Sequence, residues 1–201
     1  MKKQFYKKII FLLIALIVLI SNVCFADEKV LIVTGDSYAQ HFYNDEKNNG
    51  VRLDVYALEG RTVEANLSII LDSLNDKSRY ALLAISVNDA INKTPIDKFK
   101  RELRQIFERA MNMHKVVFVH SYVEFNFDGD TPNLVFPNAY DEALKEVSSE
   151  YMNVFYLDMS RFLTPDFFGA DTIHANRLFN DALFSYIYLG LMPYLESQAI
   201  K

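Results

Sequence analysis

From Val30 onward the chain alternates short, nearly unbroken apolar runs with longer runs whose apolar residues recur at helical spacing. That alternation constrains the fold more than any other feature. Residues 30–34, 51–57, 80–86, 116–120 and 154–157 read as five strands, and their near-continuous apolar character predicts burial on both faces, as in a parallel sheet. Between them, Thr94 and Pro95 supply a capping oxygen and a first-turn residue for a helix. Its face is Phe99, Leu103, Ile106, Phe107, Ala110 and Met113. Asn138 opens another helix, through Ala139, Leu144 and Val147. The last helix spans 176–195, with Leu178, Ala182, Leu183, Tyr186, Ile187, Gly190 and Leu191 as its inner stripe. Strand–helix alternation with right-handed crossovers predicts a three-layer α/β/α sandwich on a mainly parallel five-stranded sheet. No linker or repeat divides it. Residues 122–138 are long for a loop and are expected to form an irregular excursion.

The start of the chain has a different character. Lys2, Lys3, Lys7 and Lys8 precede an apolar run over 9–20, followed by Cys24, Phe25, Ala26 and the polar Asp27-Glu28-Lys29. A basic region, a short apolar region and a small residue before a polar stretch describe an export signal. Residues 1–26 are therefore read as a signal peptide cleaved near Ala26 or as a retained signal anchor, with membrane association in the second case. Residues 27–201 form the domain. Either way the domain lies outside the cytoplasm, secreted or held on the outer face of the membrane.

Removing the four lysines of that segment from the 21 bases leaves 17 against 26 acids, a net charge of −9. A nucleic-acid partner is excluded by that balance. Cys24 is the single cysteine, so residues 27–201 have neither disulfide nor thiolate chemistry. The 51% hydrophobic and 14% aromatic content excludes disorder. The four histidines show no metal-ligand spacing, and neither a metal nor a cofactor is expected.

In open α/β sheets, sites form beyond the carboxyl ends of the strands. The first strand ends in Gly35, Asp36 and Ser37. Gly60 follows the second, Asn88 and Asp89 the third, and Asp171 and His174 the fifth. These supply a hydroxyl, an unobstructed backbone N–H, an amide donor and an Asp/His pair. Acyl transfer needs such a set. A serine needs a base to become nucleophilic, imidazole serves near neutral pH, an acceptor must hold the ring, and the tetrahedral oxyanion needs fixed donors.

Gly35-Asp36-Ser37, Gly60, Asn88-Asp89 and Asp171-Thr172-Ile173-His174, in that order, resemble the four sequence blocks of the SGNH (GDSL-like) hydrolase superfamily. The resemblance spans nearly the whole of 27–201. It implies a flavodoxin-like sheet and a catalytic triad of Ser37, Asp171 and His174. It also implies an oxyanion hole of Ser37 N–H, Gly60 N–H and the Asn88 amide. Activities in the superfamily include esterases, lipases, carbohydrate deacetylases and O-acyltransferases. Three positions depart from the pattern. Tyr38 stands where leucine is frequent, Ser86 where glycine is usual, and Ala175 where proline follows the histidine. Ser86 is expected to crowd or reshape the oxyanion pocket.

The implied function is an extracytoplasmic serine esterase acting on small acyl esters, O-acetyl among them, of a small molecule or an envelope or extracellular carbohydrate. An O-acyltransferase using the same acyl-serine intermediate, and a non-catalytic carbohydrate-binding or accessory domain, are the alternatives. Each residue also has a plainer reading. Ser37 would be a helix N-cap, Gly60 a turn residue of positive φ, Asn88 an Asx-turn residue, Asp171 a turn cap and His174 a cap of the last helix. Asp36 and Asp89 are expected to brace loops through backbone N–H groups. His41 is the rival base, His120 a pocket-lining candidate and His114 an exposed helix end. Tyr122, Phe125, Phe127 and Phe136 are read either as a wall for an apolar group or sugar or as packing of the excursion.

Overall fold

A computed structural model describes residues 29–40, 51–120, 124–128, 131–135, 138–160, 167 and 176–199. The N-terminal segment 1–26 lies outside them, as do His41, Tyr122, Phe136, Asp171 and His174. Strands β1 (Lys29–Gly35), β2 (Val51–Ala57), β3 (Tyr80–Ala84), β4 (Val116–His120) and β7 (Val154–Leu157) form one sheet in the order β2-β1-β3-β4-β7. Every neighbouring pair is parallel. Counted within the sheet, this is the flavodoxin-like order 2-1-3-4-5. The three central strands are buried along almost their whole length, as their unbroken apolar runs require.

Helices fill the connections: α1 (Ser37–Gln40), α2 (Val63–Ser73), α3 (Val87–Ile91), α4 (Ile96–Asn112) and α5 (Ala139–Ser148). α2, α4 and α5 lie side by side. Phe99, Leu103, Ile106, Phe107 and Ala110 of α4 are all buried, as their spacing predicts. The Asn138 carboxamide caps α5, accepting from the N–H groups of Tyr140 and Asp141 at 3.1 and 3.0 Å. The last helix begins as α6 (Arg177–Ser185), widens into a π-helical turn at Tyr186–Leu191 and ends as α7 (Met192–Ala199). Among the described residues no helix is long and apolar enough to cross a membrane.

Four expectations need correction. The region 122–138 contains an antiparallel hairpin, β5 (Glu124–Asp128) with β6 (Thr131–Val135). Alternation of Phe125 and Phe127 with polar residues, and the Gly129-Asp130 pair between the strands, are hairpin signals in the sequence. β3 stops at Ala84 rather than residue 86, because the chain turns at Ser86. The Thr94 hydroxyl does not cap α4. Pro95 occupies the cap position, and the Thr94 backbone N–H donates to the Asp89 carbonyl at 2.8 Å. The inner stripe of the last helix is rotated from the expected one. Leu178 and Tyr186 are 60% and 48% exposed, while Phe179, Phe184 and Tyr188 are buried beside Leu183 and Ile187. The large rings take the inner face: Phe184 stacks on Tyr188 at 5.4 Å, and Phe179 meets His120 edge-on at 5.6 Å.

Candidate active site at the switch point of the sheet

The strand order reverses between β1 and β3, so their carboxyl ends border the crevice where an open α/β sheet binds ligands. β1 leaves the sheet through Gly35, whose φ of +142° belongs to glycine. A Cβ there would lie 1.9 Å from the Ala84 carbonyl oxygen. The next N–H, of Asp36, donates to that oxygen at 3.0 Å and locks the crossing. Asp36 then caps α1. One of its oxygens accepts from the Tyr38 N–H at 2.9 Å, and its carbonyl accepts from Gln40 at 3.2 Å. Ser37 is therefore the first helical residue, not the cap. The plain explanation for a serine at this place is removed by its neighbour.

On the β3 side, Ser86 turns the chain at φ +98°, a left-handed conformation that disfavours any side chain. A glycine at this place would be unstrained. Ser86 is fully buried and its hydroxyl donates to the Ile85 carbonyl next door. Ser86→Gly is expected to stabilise the fold by ~1 kcal/mol, seen as a higher urea midpoint. A lower midpoint would mean that the buried hydroxyl outweighs the backbone strain.

Asn88 follows as the second residue of α3, and its amide donates to Asp36 at 3.4 Å. The turn bearing Ser37 and the turn bearing Asn88 thus share one carboxylate. The second block joins through two further side chains. Asp89, fully buried, accepts from the Val63 N–H at 2.9 Å, at the start of α2. The Asn66 amide, on the inner face of α2, donates to the carbonyls of Gly35 at 2.9 Å and Leu58 at 3.2 Å. Gly60 lies between these anchors in an exposed turn at φ +67°, with open space where a Cβ would stand. Its positive φ is that of the plainer reading, a turn residue. Asp36 and Asp89 both brace loops through backbone N–H groups, as expected. Asn66 was not singled out from sequence; a lone amide between Val63 and Ile70 on an apolar helix face was the available signal.

Three of the four blocks therefore converge: Gly35–Ser37, the turn ending at Val63, and Ser86–Asp89. The fourth, with Asp171 and His174, lies outside the described residues. Beyond it Asn176 caps α6, accepting from Leu178 and Phe179 at 2.9 and 3.3 Å. His120 is buried at the end of β4 between Tyr38, at 6.4 Å between ring centroids, and Phe179. His114 is an exposed helix end, as expected. Among the described residues no group of three or more His, Cys, Asp or Glu comes together as a metal site.

The site is electrostatically unusual. Burial pushes the Asp36 carboxyl up to about 7, against the opposing hydrogen bonds from Tyr38 and Asn88 and with help from the Asp89 charge. Burial raises Asp89 as well. Glu102, buried on α4, is raised by burial and then by Asp89 and Glu64. The folded chain therefore binds the Asp36 proton more tightly than the unfolded chain does. Its contribution to stability is fully present below the ordinary value of 3.8 and is lost as pH rises to about 7. Relative to Asp36→Asn, the wild type should lose urea resistance between pH 5 and pH 8. A difference that grows the other way would show that Asp36 is held ionised.

No family model and no curated protein matches the sequence. Solved structures match its fold. The psychrotrophic esterase EstA from Pseudoalteromonas sp., in a structure inhibited by monoethylphosphonate, superposes with a TM-score of 0.61 at 13% identity, over 84% of this chain and 99% of its own. LAE5, an alpha/beta hydrolase enzyme from the metagenome of Lake Arreo, gives 0.61 at 15% identity over 82% and 95%. A GDSL-like lipase from Bacteroides thetaiotaomicron gives 0.57 at 13% over 81% and 87%. The fold of this chain, with its all-parallel 2-1-3-4-5 sheet, is thus similar to that of an esterase and of a GDSL-like lipase.

Proposed function

We propose that the chain is a serine ester hydrolase of the SGNH type, with Ser37 as nucleophile. The observation that carries this reading is the shared carboxylate. Asp36 takes over the capping task beside Ser37 and holds the Asn88 amide at the same edge of the sheet. In the reaction His174 removes the Ser37 proton, Asp171 holds the imidazole, and Ser37 attacks the ester carbonyl. The oxyanion is met by the N–H groups of Ser37 and Gly60 and by the Asn88 amide. Collapse expels the alcohol, protonated by His174, and leaves an acyl-serine. Water, deprotonated by the same histidine, then releases the acid. The basic-then-apolar start supports an extracytoplasmic location, through a cleaved signal or a retained anchor. That location supports an acylated envelope or extracellular carbohydrate, O-acetylated in the simplest case, as substrate.

A fluorophosphonate probe tests the reading directly. It should label the wild type on Ser37, located by peptide mass spectrometry, and spare Ser37→Ala. Short p-nitrophenyl esters and acetylated sugars should then turn over in water alone. Acyl release that requires an added sugar and yields acylated sugar would instead identify an O-acyltransferase. A folded protein that neither reacts with the probe nor turns over esters would be a binding or accessory domain.

A further inference from the structure

We infer that Asp36 is a positioning residue that dictates which end of the Asn88 amide faces the oxyanion. The inference rests on the esterase reading for its catalytic consequence, but the geometry stands apart from it. The Asp36 carboxylate is 2% exposed and splits its two oxygens between the two turns. One accepts from the Tyr38 N–H at 2.9 Å, and the other receives the Asn88 amide nitrogen at 3.4 Å. A carboxylate accepts and cannot donate. While ionised, it therefore admits the nitrogen end of the carboxamide and rejects the oxygen end. An NH₂ group has two hydrogens, so the contact leaves one free to donate elsewhere. A reversed amide would present a carbonyl oxygen to a developing oxyanion and repel it. Asp36 thus sets the sign of the dipole that Asn88 contributes, without touching the substrate.

Protonation undoes this selection, because a neutral carboxyl can donate to the amide oxygen. Among the described residues, the charged and titratable groups around Asp36 are few. Asp89 comes from the Asn88 turn, with Glu102 of α4 beyond it. His120 of β4 lies against the Tyr38 ring. Burial, with help from the Asp89 charge, opposes ionisation, and Asp36 changes state at about 7. Asn88 should therefore be locked above that pH and released below it.

The test has two arms on the full-length chain. In the first, Asp36→Asn keeps an oxygen for the Tyr38 N–H but turns an NH₂ toward Asn88. Its kcat should fall by on the order of 10²–10³ with KM little changed, about the loss for one missing oxyanion donor. Asn88→Ala should fall similarly, and the double variant should be no worse than either single variant. Multiplied losses, or full kcat in folded Asp36→Asn, would overturn the inference. The second arm needs no activity. In the wild type, the Asn88 side-chain NH₂ signals in a ¹H–¹⁵N spectrum, assigned through their loss in Asn88→Ala, should titrate with a midpoint near 7. Signals that stay fixed from pH 5 to 9 overturn the release of Asn88 at low pH, even where Asp36→Asn fails to fold. Titrating signals in a protein without ester turnover would keep the positioning role and remove the esterase reading.

Discussion

Ser37→Ala is expected to abolish ester turnover, by on the order of 10⁴–10⁶, while the circular dichroism spectrum is unchanged. The hydroxyl has no capping duty to lose, because the Asp36 side chain satisfies the Tyr38 N–H. The helix should survive the substitution, and the missing atom is the one that forms the covalent bond. His174→Ala should cost a comparable factor, since the serine proton then has no acceptor. The double variant should be little worse than either single one, because the two groups act as one unit. His41→Ala is the control and should be nearly silent. A dead His41→Ala beside an active, folded His174→Ala would reassign the base and break the match with the fourth sequence block.

The second large effect falls on stability. Gly35→Ala should destabilise the fold by about 2–6 kcal/mol, combining a disfavoured backbone with an overpacked contact. A methyl group would stand 1.9 Å from the Ala84 carbonyl oxygen, which is backbone and already engaged by the Asp36 N–H. Relief requires β1 and β3 to part at the point where Ser37 and Asn88 are brought together. A lower urea midpoint, or loss of soluble protein, is the expected reading. A variant as stable as the wild type would mean that the crossing is wider than 1.9 Å implies.

The layers, the five strands of the main sheet and their parallel direction were legible because they follow from apolar periodicity, which burial enforces residue by residue. The order of the blocks was legible for a similar reason, since each follows a strand. The details that escaped depend on competition between side chains for the same backbone groups. Asp36 and Ser37 are both good caps, and nothing in their spacing says which one wins. Thr94 is a good cap as well, but its backbone N–H is tied to the Asp89 carbonyl at 2.8 Å and the cap position falls on Pro95. Ser86 reads as part of an apolar strand until its φ of +98° is known. In the last helix the periodicity was visible but its phase was not. That phase was decided by which rings, Phe179, Phe184 and Tyr188, fit against the sheet and each other.

β1 begins at Lys29, and the Lys29 amine is paired at 2.9 Å with Glu196 of α7. The described chain therefore starts and finishes at the same rim of the sheet. The candidate site sits at the opposite rim, about 20 Å away along the strand. A polypeptide leash attached at Lys29 or Ala199 would emerge on the far side from the crevice. Surface capture of residues 29–199 through a tether at Lys29 or Ala199 should therefore leave the crevice facing the bulk, open to a polymeric substrate as well as a small one. Lys29 and Glu196 being neighbours, a short bridge could also close the chain on itself, with new ends cut at a loop of choice.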